Sequence, residues 1–288
     1  MTGVIHFTPC VRTTLASAKI ALFIRDATKA TLIENKMSDF TQCYDILFVV
    51  NSPFGFCEFR DGAVQLSKNA KKVIWVQNDY AIEIPSKLKP YIKEVWSSVQ
   101  TNDYKYINWN MLTYNPEGYV SSVKKLNGLC YWGAFRKDRV MDFKKYFTPS
   151  LYPVHVSTSV NNRLNFLSID KNIHVYPPLS AGQFSLFGAT VYIEDLKSHT
   201  TFCSLANRFY EALSHKMFIM VDKRCIGTFQ KSGLDLPAEY VVDSSRDIKA
   251  LFDHCDIESA VLWQQKHWVR DYNIELINAF NTMYKGIL

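Results

Sequence analysis

At 288 residues, 48% hydrophobic and 14% aromatic, the chain holds apolar material for two ordinary domains or one large one, which excludes intrinsic disorder. Its net charge of +6 is spread without a long basic run, a mild pointer to a polyanionic partner such as nucleic acid or an acidic membrane surface. No apolar run approaches about 18 residues, so no spanning helix is expected, and the N-terminus lacks a signal-peptide pattern. A cytoplasmic protein follows from these features. The seven cysteines, Cys10, Cys43, Cys57, Cys130, Cys203, Cys225 and Cys255, form no C-x-x-C pair and are expected as free, mostly buried thiols.

In chain order, Gly3–Phe7 reads as a first strand and Thr8–Thr14 as a loop. Leu15, Ala18 and Leu22 recur at helical spacing over Leu15–Asp26. Tyr44–Val50 (YDILFVV) and Lys72–Gln77 (KVIWVQ) are nearly continuous apolar runs, the signature of parallel strands covered on both faces. A helix is expected at Asp61–Ala70 and a further strand at Val95–Val99. Between Thr101 and Lys125, Tyr104, Tyr106, Trp109 and Tyr114 lie among Asn and Lys, which reads as linker and places a domain boundary near residue 120.

The second half opens on Gly128–Phe147, the stretch around which the chain is organised. Leu129–Trp132 is a short strand, Gly133 permits a tight turn, and Val140, Phe143 and Phe147 share one helix face. Arg136 and Arg139 then fall at the helix start, where free N–H groups and the dipole favour a phosphate. Further strands are expected at Pro153–Ser157, Asn172–Tyr176, Ala189–Glu194, Met217–Val221 and Tyr240–Asp243. Helices are expected at Cys203–His215, Asp247–His254 and from Glu258 to the end. Alternation of strands and helices in both halves predicts an α/β protein of two domains with largely parallel sheets. Such sheets bind ligands beyond the carboxyl ends of their strands, and two of them facing each other leave a cleft.

Three groups of side chains carry candidate chemistry. The arginine turn is one. Arg208 and Glu211, three apart on one helix, are the second: as surface groups they form a weak ion pair, and as a site Glu211 accepts from a ribose diol while Arg208 meets a phosphate. Asp79 is the third, just past a buried strand: either a turn or cap aspartate, or a general base. The seven histidines show no ligand spacing, and no serine-hydrolase elbow, Walker A loop or dinucleotide fingerprint occurs. Lys87 and Lys89, with Tyr104 and Trp109, offer a basic surface with stacking groups for DNA.

The blocks YDILFVVNSPFGF, KKVIWVQNDYAIEIP, YWGAFRKDR with its apolar helix, and FCSLANRFYEALSHKMFIMVD follow one another in the order and approximate spacing of the T-even phage DNA β-glucosyltransferase family, from Tyr44 to about His254. The chain resembles that family. The resemblance implies a GT-B fold: a Rossmann-like DNA domain at 1–120, a Rossmann-like nucleotide-sugar domain at 121–265, and a terminal helix at 266–288 crossing back. It implies a UDP-sugar held by Gly133, Arg136, Arg139, Tyr176, Arg208 and Glu211, with Asp79 as base. Any Mg2+ or Mn2+ would be bound through the diphosphate, since no acidic metal motif is visible. The acceptor is expected to be 5-hydroxymethylcytosine flipped out of duplex DNA, in the cytoplasm of an infected bacterium, and the protein a monomer. Arg136 and Arg139 are more closely spaced than in the family and the Thr8–Thr14 loop is shorter, so glucose, a pentose such as arabinose, and an already glycosylated base stay open. So does a cell-envelope glycan or lipid as acceptor.

Overall fold

The apolar runs of the two halves form two separate parallel sheets. The computed structural model describes residues 1–6, 16–33, 40–51, 56–77, 83–116, 125–194 and 205–288. It divides into a first unit, Met1–Leu112 with Asp271–Leu288, and a second, Thr113–Arg270. The position expected for the boundary, near 120, lies outside the described residues.

In the first unit the elements are β1 (Thr2–His6), α1 (Ala16–Thr28), β2 (Thr31–Ile33), β3 (Ile46–Val50), α2 (Phe56–Asn69), β4 (Lys72–Gln77), β5 (Ile92–Ser97) and β6 (Lys105–Tyr106). Its sheet runs β2-β1-β3-β4-β5-β6 with every pairing parallel. Alternation along β3 explains why its sequence is apolar throughout. Phe48 and Val50 join a core with Ile20 and Ile24 of α1, while Leu47 and Val49 join another with Ala63 and Leu66 of α2.

The second unit contains β7 (Leu126–Trp132), α3 (Val140–Tyr146), β8 (Val154–Ser157), α4 (Val160–Leu167), β9 (His174–Tyr176), α5 (Ala181–Phe184), β10 (Phe187–Tyr192), α6 (Asn207–Ser214), β11 (Phe218–Asp222), α7 (Ile226–Lys231), β12 (Val241–Val242), α8 (Ser245–His254) and α9 (Ile257–Trp268). Its parallel sheet is ordered β12-β11-β10-β7-β8-β9. Strand order therefore reverses between β7 and β10, the position where a doubly wound sheet opens a crevice for ligand. Tyr131, Phe143, Phe147 and Phe166 make an aromatic cluster that docks α3 and α4 on one face.

The last helix, α10 (Tyr272–Lys285), belongs to the first unit. Phe280 is fully buried there and meets the rings of Phe48, Trp96 and Trp109.

That packing corrects one expectation. Trp109 is 1% exposed, edge-on to Phe23 and tilted against Phe280, so it is a core residue and offers no face to a base. Tyr104 is half-buried, and Lys87 and Lys89 are exposed. Lys87 lies 3.5 Å from Asp61 and borders a shallow depression of about 450 Å³ with Val64, Gln65, Lys68 and Tyr91. Cys130 and Cys225 are buried and Cys43 is exposed. Among the described residues, no helix is long and apolar enough to cross a membrane.

Candidate functional site

The carboxyl ends of β7 and β10 carry the site. β7 ends at Trp132, and Gly133 follows with φ +126°, a conformation L side chains rarely adopt. A Cβ there would also stand 3.3 Å from Arg208 Nη1. The Gly133 turn is fixed on both sides: its N–H donates to the Ser157 carbonyl (3.1 Å), and Thr158 Oγ1 donates to its carbonyl (2.7 Å).

Beyond the turn the two arginines part. Arg136 pairs with Asp138 inside its own turn, Nη2 to Oδ2 at 2.9 Å, with its side chain 34% exposed. Arg139 is turned inward, with its side chain 4% exposed, and donates to Glu194 Oε2 at 2.6 Å. Glu194 stands two residues past β10 and is itself buried. Its other oxygen accepts from Arg208 Nη2 at 2.5 Å. The Tyr131 hydroxyl accepts from Nη1 of both arginines, at 3.0 Å from Arg208 and 3.4 Å from Arg139. The Arg208 guanidinium also lies over the Tyr131 ring, 5.0 Å from its centroid. Two guanidiniums, one carboxylate and one phenol thus close a ring at the switch point, with one net positive charge.

Arg208 is the second residue of α6, and Glu211 follows one turn later. Glu211 Oε2 accepts from the Trp132 indole N–H at 2.6 Å, while Oε1 has no partner among the described residues. Gly133, Arg139, Arg208 and Glu211 are therefore gathered around Tyr131 and Trp132.

Tyr176 closes β9, and its carbonyl accepts from Thr158 N–H at 3.0 Å, beside the Gly133 turn. Its ring points elsewhere. His155 Nε2 lies 3.3 Å from the Asn127 carbonyl, which can only accept, so Nε2 carries the proton and Nδ1 accepts from the Tyr176 hydroxyl at 3.2 Å. Burial, with His174 stacked alongside, holds His155 below the usual imidazole range. The loop after β9 is tied back to the same place, Ser157 Oγ donating to the Pro177 carbonyl and accepting from Leu179 N–H.

Asp79 lies outside the described residues, two positions past the last residue of β4. Asp45, at the opposite end of its strand, is exposed, and Lys71 and the N-terminus hold its carboxyl down at about 2. No cluster of three or more described His, Cys, Asp or Glu residues could hold a metal, and both Glu194 oxygens are already taken by arginines.

Glu194 and Tyr131 belong to the candidate site by their contacts and carry no functional expectation from the sequence. A signal for Glu194 existed: it ends the apolar segment Ala189–Glu194, just past a strand's carboxyl end, the same kind of sequence position that singles out Asp79 in the first half.

No protein-family model matches the chain, and no curated protein matches it in sequence. Among solved structures it is similar to T4 phage BGT in complex with UDP and Mn2+, with TM-score 0.74 and 13% identity, covering 99% of each chain. It is also similar to an α-glucosyltransferase in complex with UDP-glucose and DNA containing an abasic site, with TM-score 0.54 and 11% identity over 99% of this chain and 98% of that one. A third likeness, TM-score 0.52 and 13% identity over 98% and 94%, is to an α-glucosyltransferase in complex with UDP and a 13-mer DNA containing an HMU base. The resemblance read from the sequence is thus met at the level of fold: the chain has the GT-B fold, with two Rossmann-like units, and resembles the phage DNA glucosyltransferases.

Proposed function

We propose that this chain is a glycosyltransferase that moves a sugar from a UDP donor to the hydroxymethyl group of 5-hydroxymethylcytosine in DNA. The observation that carries the donor half is the placement of Arg208 and Glu211 three residues apart on α6 at the switch point of the second unit, one beside the Gly133 turn and the other with one carboxylate oxygen that has no partner among the described residues. In this reading Arg208 stabilises the charge that grows on the departing diphosphate. Glu211 accepts from the ribose hydroxyls, Gly133 lets the diphosphate approach the backbone, and Arg136 meets it from the turn. Arg139 acts from behind, through Glu194 and Tyr131. The backbone at Tyr176–Pro178 flanks the uracil. A divalent ion that takes part is held through the diphosphate.

The acceptor half rests on the sequence blocks around Asp79 and on the likeness to structures solved with DNA. Asp79 takes the proton from the hydroxymethyl oxygen, that oxygen attacks the anomeric carbon, and the bond to the diphosphate breaks. With Asp79 as the one base and no carboxylate assigned as nucleophile, the reading is a single displacement with inversion. A base inside a duplex must be extruded before it reacts.

Duplex DNA carrying hydroxymethylcytosine, incubated with the protein and, separately, UDP-glucose, UDP-arabinose, UDP-galactose and UDP-N-acetylglucosamine, tests the reading by nucleoside mass. One sugar mass on hydroxymethylcytosine is expected, absent with unmodified duplex and lost in Asp79→Asn without loss of UDP binding. No added mass with any donor, despite UDP binding, would contradict the acceptor.

A further inference from the structure

We propose that Glu194 is an internal counter-anion that competes with the donor's diphosphate for Arg208, limiting how tightly the site holds UDP. This rests on the donor-site reading above. The guanidinium of Arg208 lies between two places for negative charge. On its Nη2 side is the Glu194 carboxylate, at 2.5 Å. On its Nη1 side is the Gly133 turn, close enough that a Cβ there would be 3.3 Å away.

Glu194 is no surface acid that solvent would screen. Its side chain is 5% exposed and bridges Arg139 and Arg208. A carboxylate bridged by two guanidiniums away from solvent repels any second anion that shares one of them. Before donor arrives, Glu194 and Tyr131 hold Arg208 in place, so its orientation is set in advance. Once donor binds, carboxylate and diphosphate draw on the same guanidinium, and the diphosphate is held less tightly than an unopposed Arg208 would hold it. For a transferase this matters after the reaction, because the leaving UDP must depart.

Calorimetric titration of UDP and of inorganic pyrophosphate into wild type and Glu194→Gln tests the proposal, with thermal denaturation alongside. The amide keeps the shape and removes the charge. Without ligand the variant melts lower, because Arg139 and Arg208 lose their counter-ion. It should nevertheless bind UDP and pyrophosphate about tenfold more tightly, as the ligand supplies the missing negative charge. A purely structural role predicts the lower melting point with binding unchanged or weakened, and that result would overturn the proposal. Should Glu194→Gln be unfolded without ligand, saturating pyrophosphate restores its folded signal; a variant that stays unfolded overturns the proposal as well. Wild type that binds neither UDP nor pyrophosphate overturns the donor-site reading and this proposal with it. Wild type that binds UDP while Glu194→Gln binds it no more tightly overturns this proposal alone.

Discussion

Trp132 closes on Glu211, its indole N–H donating to one carboxylate oxygen at 2.6 Å and joining the last residue of β7 to α6. The bond fixes the carboxylate and leaves Oε1 for another donor. Trp132→Phe keeps the ring contact with Phe184 and removes the N–H. A hydrogen bond to a charged group is worth about 1.5–3 kcal/mol, and only part of it passes to a ligand on the other oxygen. UDP affinity should fall by roughly three- to tenfold. Pyrophosphate, which has no ribose, should bind as before, and calorimetry distinguishes the two.

Arg139 and Arg208 share Glu194 and Tyr131, yet their substitution should have opposite signatures. Arg139 is buried, so Arg139→Ala leaves Glu194 short of a partner in the interior, at a cost of about 3–5 kcal/mol in urea denaturation. Arg208 is partly open, and Glu194 keeps Arg139 when Arg208 is lost. Arg208→Ala should therefore cost far less stability and weaken UDP binding by at least about thirtyfold, or about 2 kcal/mol.

The sheets were legible in the sequence where both faces of a strand are covered. β3, β4 and β7 carry apolar runs that only burial explains, and the strand-helix alternation follows from them. The strands without an expectation were β2 and β6, three and two residues long. Helix α4 leaves no apolar stripe in the sequence because Val160 and Leu164 point outward, 80% and 77% exposed. Trp109 looked like a stacking group among Asn and Lys, and what buries it is Phe280, supplied by the far end of the chain. At the site, Arg208 and Glu211 were readable because helical spacing joins them. The inward turn of Arg139 was not, because the Glu194 that draws it in lies on another strand and leaves no local mark.

Phe280 offers a test of that long-range packing. Phe280→Ala removes a fully buried ring from contact with Phe48, Trp96 and Trp109. The loss should be about 3–5 kcal/mol, read by denaturation of the first unit. UDP affinity, which the proposed donor site assigns to the second unit, should change little.

Acid should weaken the second unit in a way traceable to His215. The ring is 5% exposed, packs against Phe184, and has Lys125 nearby. Burial, with the Lys125 charge, holds it down to about 4, against an ordinary 6.5. Below pH 6.5 the unfolded chain takes up a proton that the folded one refuses, so stability is full above that pH and falls towards pH 4. The slope from one proton approaches about 1.4 kcal/mol per pH unit. Denaturation at pH 7 and pH 5 should show a smaller loss in His215→Phe than in wild type. Some loss remains, since burial holds His155 low as well.

A crystal structure with UDP bound is the most direct test of the donor site. The account predicts the diphosphate at the Gly133 turn within hydrogen-bond distance of the Arg208 guanidinium, and the ribose diol on Glu211. UDP bound away from the carboxyl ends of β7 and β10, or bound there without touching Arg208 and Glu211, would contradict it.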